Sequence, residues 1–244
     1  MLHSHDPKDN SVLTINEGCP WYKAQHSYGV PKTELCEPMT CSYIVYPANT
    51  WSNLSFIFVA LIFLKKMSEP LVRLFAINVF MMGALSATYH ATNNDLTEYL
   101  DFVGLCLMMS FLLAFNLLRV IGKNPRNIAS MFWFLFSLNN ILFVCFKIMS
   151  IPAQELMLFN AIPIIAFDII AGGKERRFHE YKYFLLGILS IGIAQSSAVI
   201  ELRRIWCEPD NIFLHGHVLS HIFTALAMLF AGLHINRMLR YRME

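Results

Sequence analysis

Phe102-Val103-Gly104-Leu105-Cys106-Leu107-Met108-Met109-Ser110-Phe111-Leu112-Leu113-Ala114-Phe115-Asn116-Leu117-Leu118 is an unbroken uncharged run, closed by Asp101 on one side and Arg119 on the other. With its flanks it covers 98–120, the length of a spanning helix, which needs about 20 mainly apolar residues. A barrel strand would need only about 10 residues and would alternate, and this run does not alternate. Working outward, six further apolar segments read the same way: 44–64, 71–91, 128–148, 154–171, 181–201 and 212–236. Between them lie short stretches rich in Pro, Gly, Asn or charge, such as Lys65 to Pro70, Asn93-Asn94-Asp95, Gly122 to Arg126, Gly172 to Arg177 and Cys207 to Asn211. Such clusters end helices. The reading is an all-α membrane protein, a seven-transmembrane-helix bundle. It divides into a polar outer amino-terminal segment 1–43, a transmembrane domain 44–236 and a basic inner tail 237–244.

Composition agrees. Of 244 residues 56% are hydrophobic and 15% charged, against about 25% charged in soluble domains. Mean hydropathy is +0.47. The net charge of +2 says little about partners, and no basic, aromatic-laced patch offers itself to nucleic acid. The first 42 residues carry no apolar core of a signal peptide. The first spanning helix is therefore expected to act as the insertion signal.

Orientation follows from Lys and Arg. With the amino terminus outside, the inner side receives 13 of them and the outer side 6. The positive-inside rule then favours amino terminus out and carboxyl terminus in. Cys19, Cys36, Cys41 and Cys207 all fall on that outer side, an even number of thiols where an oxidising compartment permits pairing. Spacing alone leaves the pairing open.

Ionisable groups inside membrane helices ask for a reason, and His90, Asp101, His217 and His221 stand out. His217 and His221 are four apart, so their rings leave the helix on one face. That is how one helix supplies two nitrogen ligands to one metal. Ser86 and His90 share a face in the same way. Under the topology above, the second helix ends outside while the third and seventh begin there. At about 1.5 Å per residue, all five side chains lie roughly 2–15 Å below the outer boundary. Three neutral imidazoles with a fourth position open make a catalytic zinc arrangement, and zinc lowers the pKa of a bound water toward about 7. Asp101 would accept or orient that water's proton, and Ser86 would donate to a developing oxyanion. A site just below the headgroups suits an amide or ester near a lipid's polar end.

Ser86-x-x-x-His90, then Asp101, then His217-x-x-x-His221 resembles the alkaline ceramidase family, within a superfamily of seven-helix hydrolases that includes the adiponectin receptors and the Per1-like proteins. Asn49-Thr50-Trp51-Ser52-Asn53 and Cys36-Glu37 match it too, and the likeness extends over most of the chain from about residue 34. The resemblance implies that His90, His217 and His221 bind Zn2+, that Asp101 activates water and that Ser86 assists. It also implies a disulfide between Cys36 and Cys207. The substrate would be ceramide or a related N-acyl lipid, and the enzyme a zinc-dependent amidohydrolase acting on linear amides. It would lie in a cell membrane or endomembrane (ER/Golgi), with its site toward the outer or luminal face. Members of the family hold a calcium ion near the amino terminus. Here Glu34 and Glu37 keep their places, but Leu35 replaces a Trp, Met39 an Asn and Tyr46 a Glu. Hard cations want several oxygens, so Ca2+ regulation is doubtful on this sequence.

Other readings weigh against these. A lipid esterase of the same superfamily would use the same groups, and a seven-helix lipid receptor would hold zinc structurally. A proton or metal transporter would need ionisable residues at several depths, whereas here the strongest four share one layer. His215 faces away from His217, and His234, at the inner end, reads as interfacial. Glu201 reads as a solvated or paired boundary residue, and Asp168 as paired with nearby basic residues. Asn116, Asn139, Asn140 and Gln195 read as interhelical hydrogen-bonding groups.

Overall fold

Pro47 starts the first membrane-length helix and Asn53 interrupts its hydrogen-bond ladder. In the computed structural model, which describes residues 17–31, 35–149, 151, 153–175, 181–207 and 213–240, this helix runs as α2 (Pro47–Ser52) and α3 (Leu54–Lys66). It opens later than the expected residue 44. Proline suits a first helical position but disfavours helix before it. At the interruption the Asn53 backbone N–H reaches back only to Thr50 O, at 3.3 Å. Its side-chain amide takes the Asn49 carbonyl at 2.8 Å. A short α1 (Tyr22–Tyr28), unforeseen in the polar segment, precedes them.

The remaining helices are α4 (Pro70–Thr92), α5 (Asp95–Val120), α6 (Ala129–Ile148), α7 (Ala153–Glu175), α8 (Lys182–Leu202) and α9 (Gly216–Arg240). Counting α2 with α3, seven helices among the described residues are long and apolar enough to cross a membrane. Two ends moved for identifiable reasons. α5 begins at 95 rather than 98 because Asn94 caps it, with Thr97 N donating to Asn94 Oδ1 at 3.1 Å. α7 continues through Gly172-Gly173 to Glu175, whose carboxylate accepts from Arg119 at 3.0 Å. The basic tail is in part helical, since Arg237 and Arg240 belong to the last turn of α9. Residues 241–244 lie outside the described residues, as does 212, the expected start of the seventh helix.

Four helices supply most of the core, and Phe132 and Leu135 of α6 join it. Phe63 of α3, Phe75 of α4, Phe111 and Phe115 of α5 and Ile235 and Leu239 of α9 are fully buried. Phe75 touches both Phe63 and Phe111 with ring centroids 5.9 and 5.7 Å apart. In lipid, helices associate by such packing and by close approach at small residues. Gly83 is one of these, since a Cβ there would lie 2.6 Å from Phe56 Cβ. α6 packs on α5 and α7, and α8 packs on α9. α6 and α8 present a broad apolar surface outward, including Phe134, Ile141, Leu185 and Leu189. Between α5, α7, α8 and α9 lies an apolar cavity of about 180 Å³, with Asn116, Asp168 and His234 among its lining residues.

Those residues belong to a buried ionic cluster. Arg119 pairs with Asp168 and, at 3.0 Å, with Glu175. His234 Nε2 lies 3.1 Å from Asp168 Oδ2, and the Tyr181 hydroxyl donates to the Asp168 carbonyl at 2.6 Å. His234 is thus buried and partnered, not interfacial as its position near a helix end suggested. The carboxylate of Asp168, on a neighbouring helix, draws it inward. Asn116 bridges to Ile164 O at 2.9 Å and Asn139 to Ser110 and Asn160 at 2.9 Å, all between helices. Asn140 instead donates to Phe136 O of its own helix.

Candidate metal centre

One turn positions two of the helices that carry the site. Asn93 adopts a left-handed conformation (φ 47°) that stops α4, and its N–H closes on Tyr89 O at 2.7 Å. Asn94 then caps α5 directly. The end of α4 and the start of α5 are therefore held side by side, with His90 one turn before the corner and Asp101 two turns after it. The last carbonyls of α4 have no partner within the helix, and the amino-terminal segment supplies donors. Tyr46 N donates to His90 O and Val45 N to Ala91 O, each at 3.0 Å. Gln25 Nε2 donates to Thr92 O at 3.0 Å. The polar segment is thus fastened across the end of the bundle that carries the histidines.

His90, His217 and His221 converge there. One ring nitrogen from each lies within 4.8 Å of the others, and the group can hold a metal ion. His90 Nε2 and His217 Nε2 are 3.3 Å apart. That separation is the edge of a tetrahedron whose centre is about 2.0–2.1 Å from each nitrogen, the bond length of zinc to histidine. His90 is only 1% exposed, and its Nδ1 has no hydrogen-bond partner.

The partner of His221 bears on its tautomer. Ser52 Oγ lies 2.7 Å from His221 Nδ1 and also donates to Asn49 O at 2.8 Å. A hydroxyl has one proton. With that proton given to Asn49, Ser52 accepts from Nδ1–H, and the lone pair of His221 is left on Nε2. Hydrogen bonds of this kind orient metal-ligating histidines. Ser52 was legible only as part of the Asn49 to Asn53 stretch, with no role attached.

Ser86 and Asp101 line a cavity of about 180 Å³ together with His217, His221, Tyr89 and Gln195. The Ser86 hydroxyl interacts with the Asp101 carboxylate. Met82, Leu105, Met157 and Thr224 belong to the walls of this cavity and of the apolar one beneath, so the two adjoin. The polar site therefore abuts an apolar chamber inside the bundle.

Glu201, read as a boundary residue, is 2% exposed. Its Oε1 accepts from Cys36 N at 3.0 Å and its Oε2 from His217 N at 2.5 Å. Cys36 is disulfide-bonded to Cys207, and Cys19 to Cys41. His215 is buried just before α9, outside the imidazole group.

The stretch compared above with a calcium site is built otherwise. Glu37 accepts from Ala48 N at 2.6 Å and Asn49 N at 3.0 Å, capping α2. Burial pushes its carboxyl above the usual range, against the lowering effect of those two N–H groups. Leu35, Val45 and Tyr46 form an apolar cluster with Trp21 and Met39. An engaged carboxylate among apolar side chains does not fit a hard cation's need for several oxygens. Glu34 lies outside the described residues. No protein-family model matches the chain, and no curated protein compared with it does.

Proposed function

We propose that this protein is a zinc-dependent intramembrane hydrolase that cleaves the amide bond of ceramide or a related N-acyl lipid. The observation that carries the reading is the convergence of three imidazoles, two of them on the wall of a cavity that also holds Ser86 and Asp101 and adjoins an apolar chamber. An apolar chamber accepts an acyl chain, and the polar end of the cavity accepts the amide.

Zinc at the three Nε2 atoms would supply Lewis acidity to a water and to the scissile carbonyl. The residues supply the rest. Ser52 holds His221 in the tautomer that leaves Nε2 free. Asp101 accepts the proton of the attacking water and delivers it to the leaving nitrogen. The water oxygen bonds to the carbonyl carbon as the C–N bond breaks, leaving a fatty acid and an amine-bearing base. Ser86 donates to the carbonyl oxygen as negative charge develops there, a contribution of about 2.7–4 kcal/mol when such a donor is well aimed. The excess of Lys and Arg at the opposite ends of the helices supports a site facing the outer or luminal side.

The test is lipid hydrolysis by purified protein, with metal analysis, against matched amide and ester substrates. Wild type should carry zinc and turn over the amide. His221→Ala should lose both. Asp101→Asn should keep the metal and lose at least about 100-fold in turnover, the scale of general acid–base catalysis. Turnover of the ester alone would select the esterase reading. Zinc without turnover of either would select a receptor with structural zinc, and zinc in neither protein would sink the proposal.

A further inference from the structure

The first turn of α9 is supported by a side chain from another helix. Phe213-Leu214-His215 precede Gly216, and none of these is among the residues whose side chains satisfy the first N–H groups of a helix. A carboxylate from another helix stands there instead. Glu201, at the end of α8, accepts from His217 N at 2.5 Å, and a negative charge at this end of a helix is favourable. The approach depends on Gly216. A Cβ at that position would lie 2.4 Å from Ser197 O and 2.8 Å from Glu201 Cβ.

The second oxygen of Glu201 accepts from Cys36 N at 3.0 Å, and Cys36 is bonded to Cys207 just beyond α8. One buried carboxylate thus ties together the end of α8, the amino-terminal segment and the first turn of α9. Hydrogen bonds to an ionised acceptor are about twice as strong as neutral ones.

His217 is the metal-site histidine that lies nearest a helix end. His221 sits one turn further in and has Ser52 on its Nδ1, and His90, in the last turn of α4, has its carbonyl tied by Tyr46 N at 3.0 Å. The direction of the His217 ring follows the first turn of α9, and Glu201 fastens that turn through the His217 backbone. We propose that Glu201 is a positioning residue for His217, setting the geometry and strength of metal binding while touching neither metal nor substrate. The proposal rests on the reading of His90, His217 and His221 as a metal centre.

The test measures zinc affinity by chelator competition and ligand geometry by the visible spectrum of the cobalt-substituted protein. It compares wild type, Glu201→Gln, Glu201→Ala and a Cys36→Ser/Cys207→Ser variant that keeps the carboxylate. Glu201→Gln keeps the shape and one acceptor oxygen but must turn an NH2 group toward one of its two N–H partners. It should bind zinc about 10–100-fold more weakly, the range for residues that orient ligands, with an altered cobalt spectrum. Glu201→Ala should lose at least as much. The double serine variant should lower thermal stability and leave affinity within a few-fold of wild type. Lowered stability in Glu201→Gln with unchanged affinity and spectrum would reduce Glu201 to a structural tie and overturn the proposal. A wild type that binds neither metal would overturn the metal-centre reading, and this proposal with it.

Discussion

At one end of the bundle His234 rests against Asp168, which also receives Arg119. At the other end His90, His217 and His221 rest against one another, and no carboxylate is hydrogen-bonded to their rings among the described residues. Both groups are buried in the same helical packing, and both draw on α9. The first pairs its own charges: guanidinium and carboxylates meet directly and the imidazole rests on one of those carboxylates, as buried ions require in a low dielectric. The second gathers three neutral nitrogen donors whose lone pairs can point inward, which is an arrangement that a cation completes. The side chain is the same, and its role is decided by the partner that the neighbouring helix brings.

The sharpest way to break this contrast is Arg119→Ala. Removing one partner leaves Asp168 and Glu175 without their cation, and the expected loss is about 3–5 kcal/mol of stability. It should appear as a lower melting temperature in detergent, with the metal content of the folded fraction unchanged. Metal lost in parallel with stability would mean that the two ends act as one unit. A smaller effect is expected from Ser52→Ala, which frees His221 to rotate or change tautomer. Zinc affinity should drop about 10–100-fold with little change in melting temperature, and unchanged affinity would remove Ser52 from the site. The smallest belongs to Arg126→Ala. Its pair with Glu69 spans 3.0 Å but is partly exposed, so less than about 1 kcal/mol should be lost, and that should shrink further in high salt. A larger loss would show that exposure is the wrong measure for separating the buried cluster from surface pairs.

The parts of the site that were legible are those whose geometry is local. His217 and His221 are one turn apart, so any helix there presents them together. Ser86 and His90 repeat the argument on α4. The Asn93-Asn94 corner was marked as a helix break, which suffices to put His90 and Asp101 at one level. Glu201 and Ser52 were not legible as supports. A carboxylate at a helix end is ordinarily solvated, and only the docking of Cys36 and the close approach of Gly216 bury this one. Ser52 meets His221 across 169 residues of sequence. His234 was misread for the same reason: it stands near the inner end of its helix, beside Arg237, and the Asp168 that draws it inward lies on another helix.

By itself the sequence determined the seven membrane-length helices, the face on which each histidine projects and the layer they share. These follow from apolar length, helical period and capping residues, all properties of a short stretch of chain. Only the tertiary structure decided which side chain meets Nδ1 of His221, what holds the first turn of α9 and where the apolar chamber meets the polar site. Those depend on how helices far apart in sequence press together. That packing is a sum over many weak contacts between segments, and no single segment carries it.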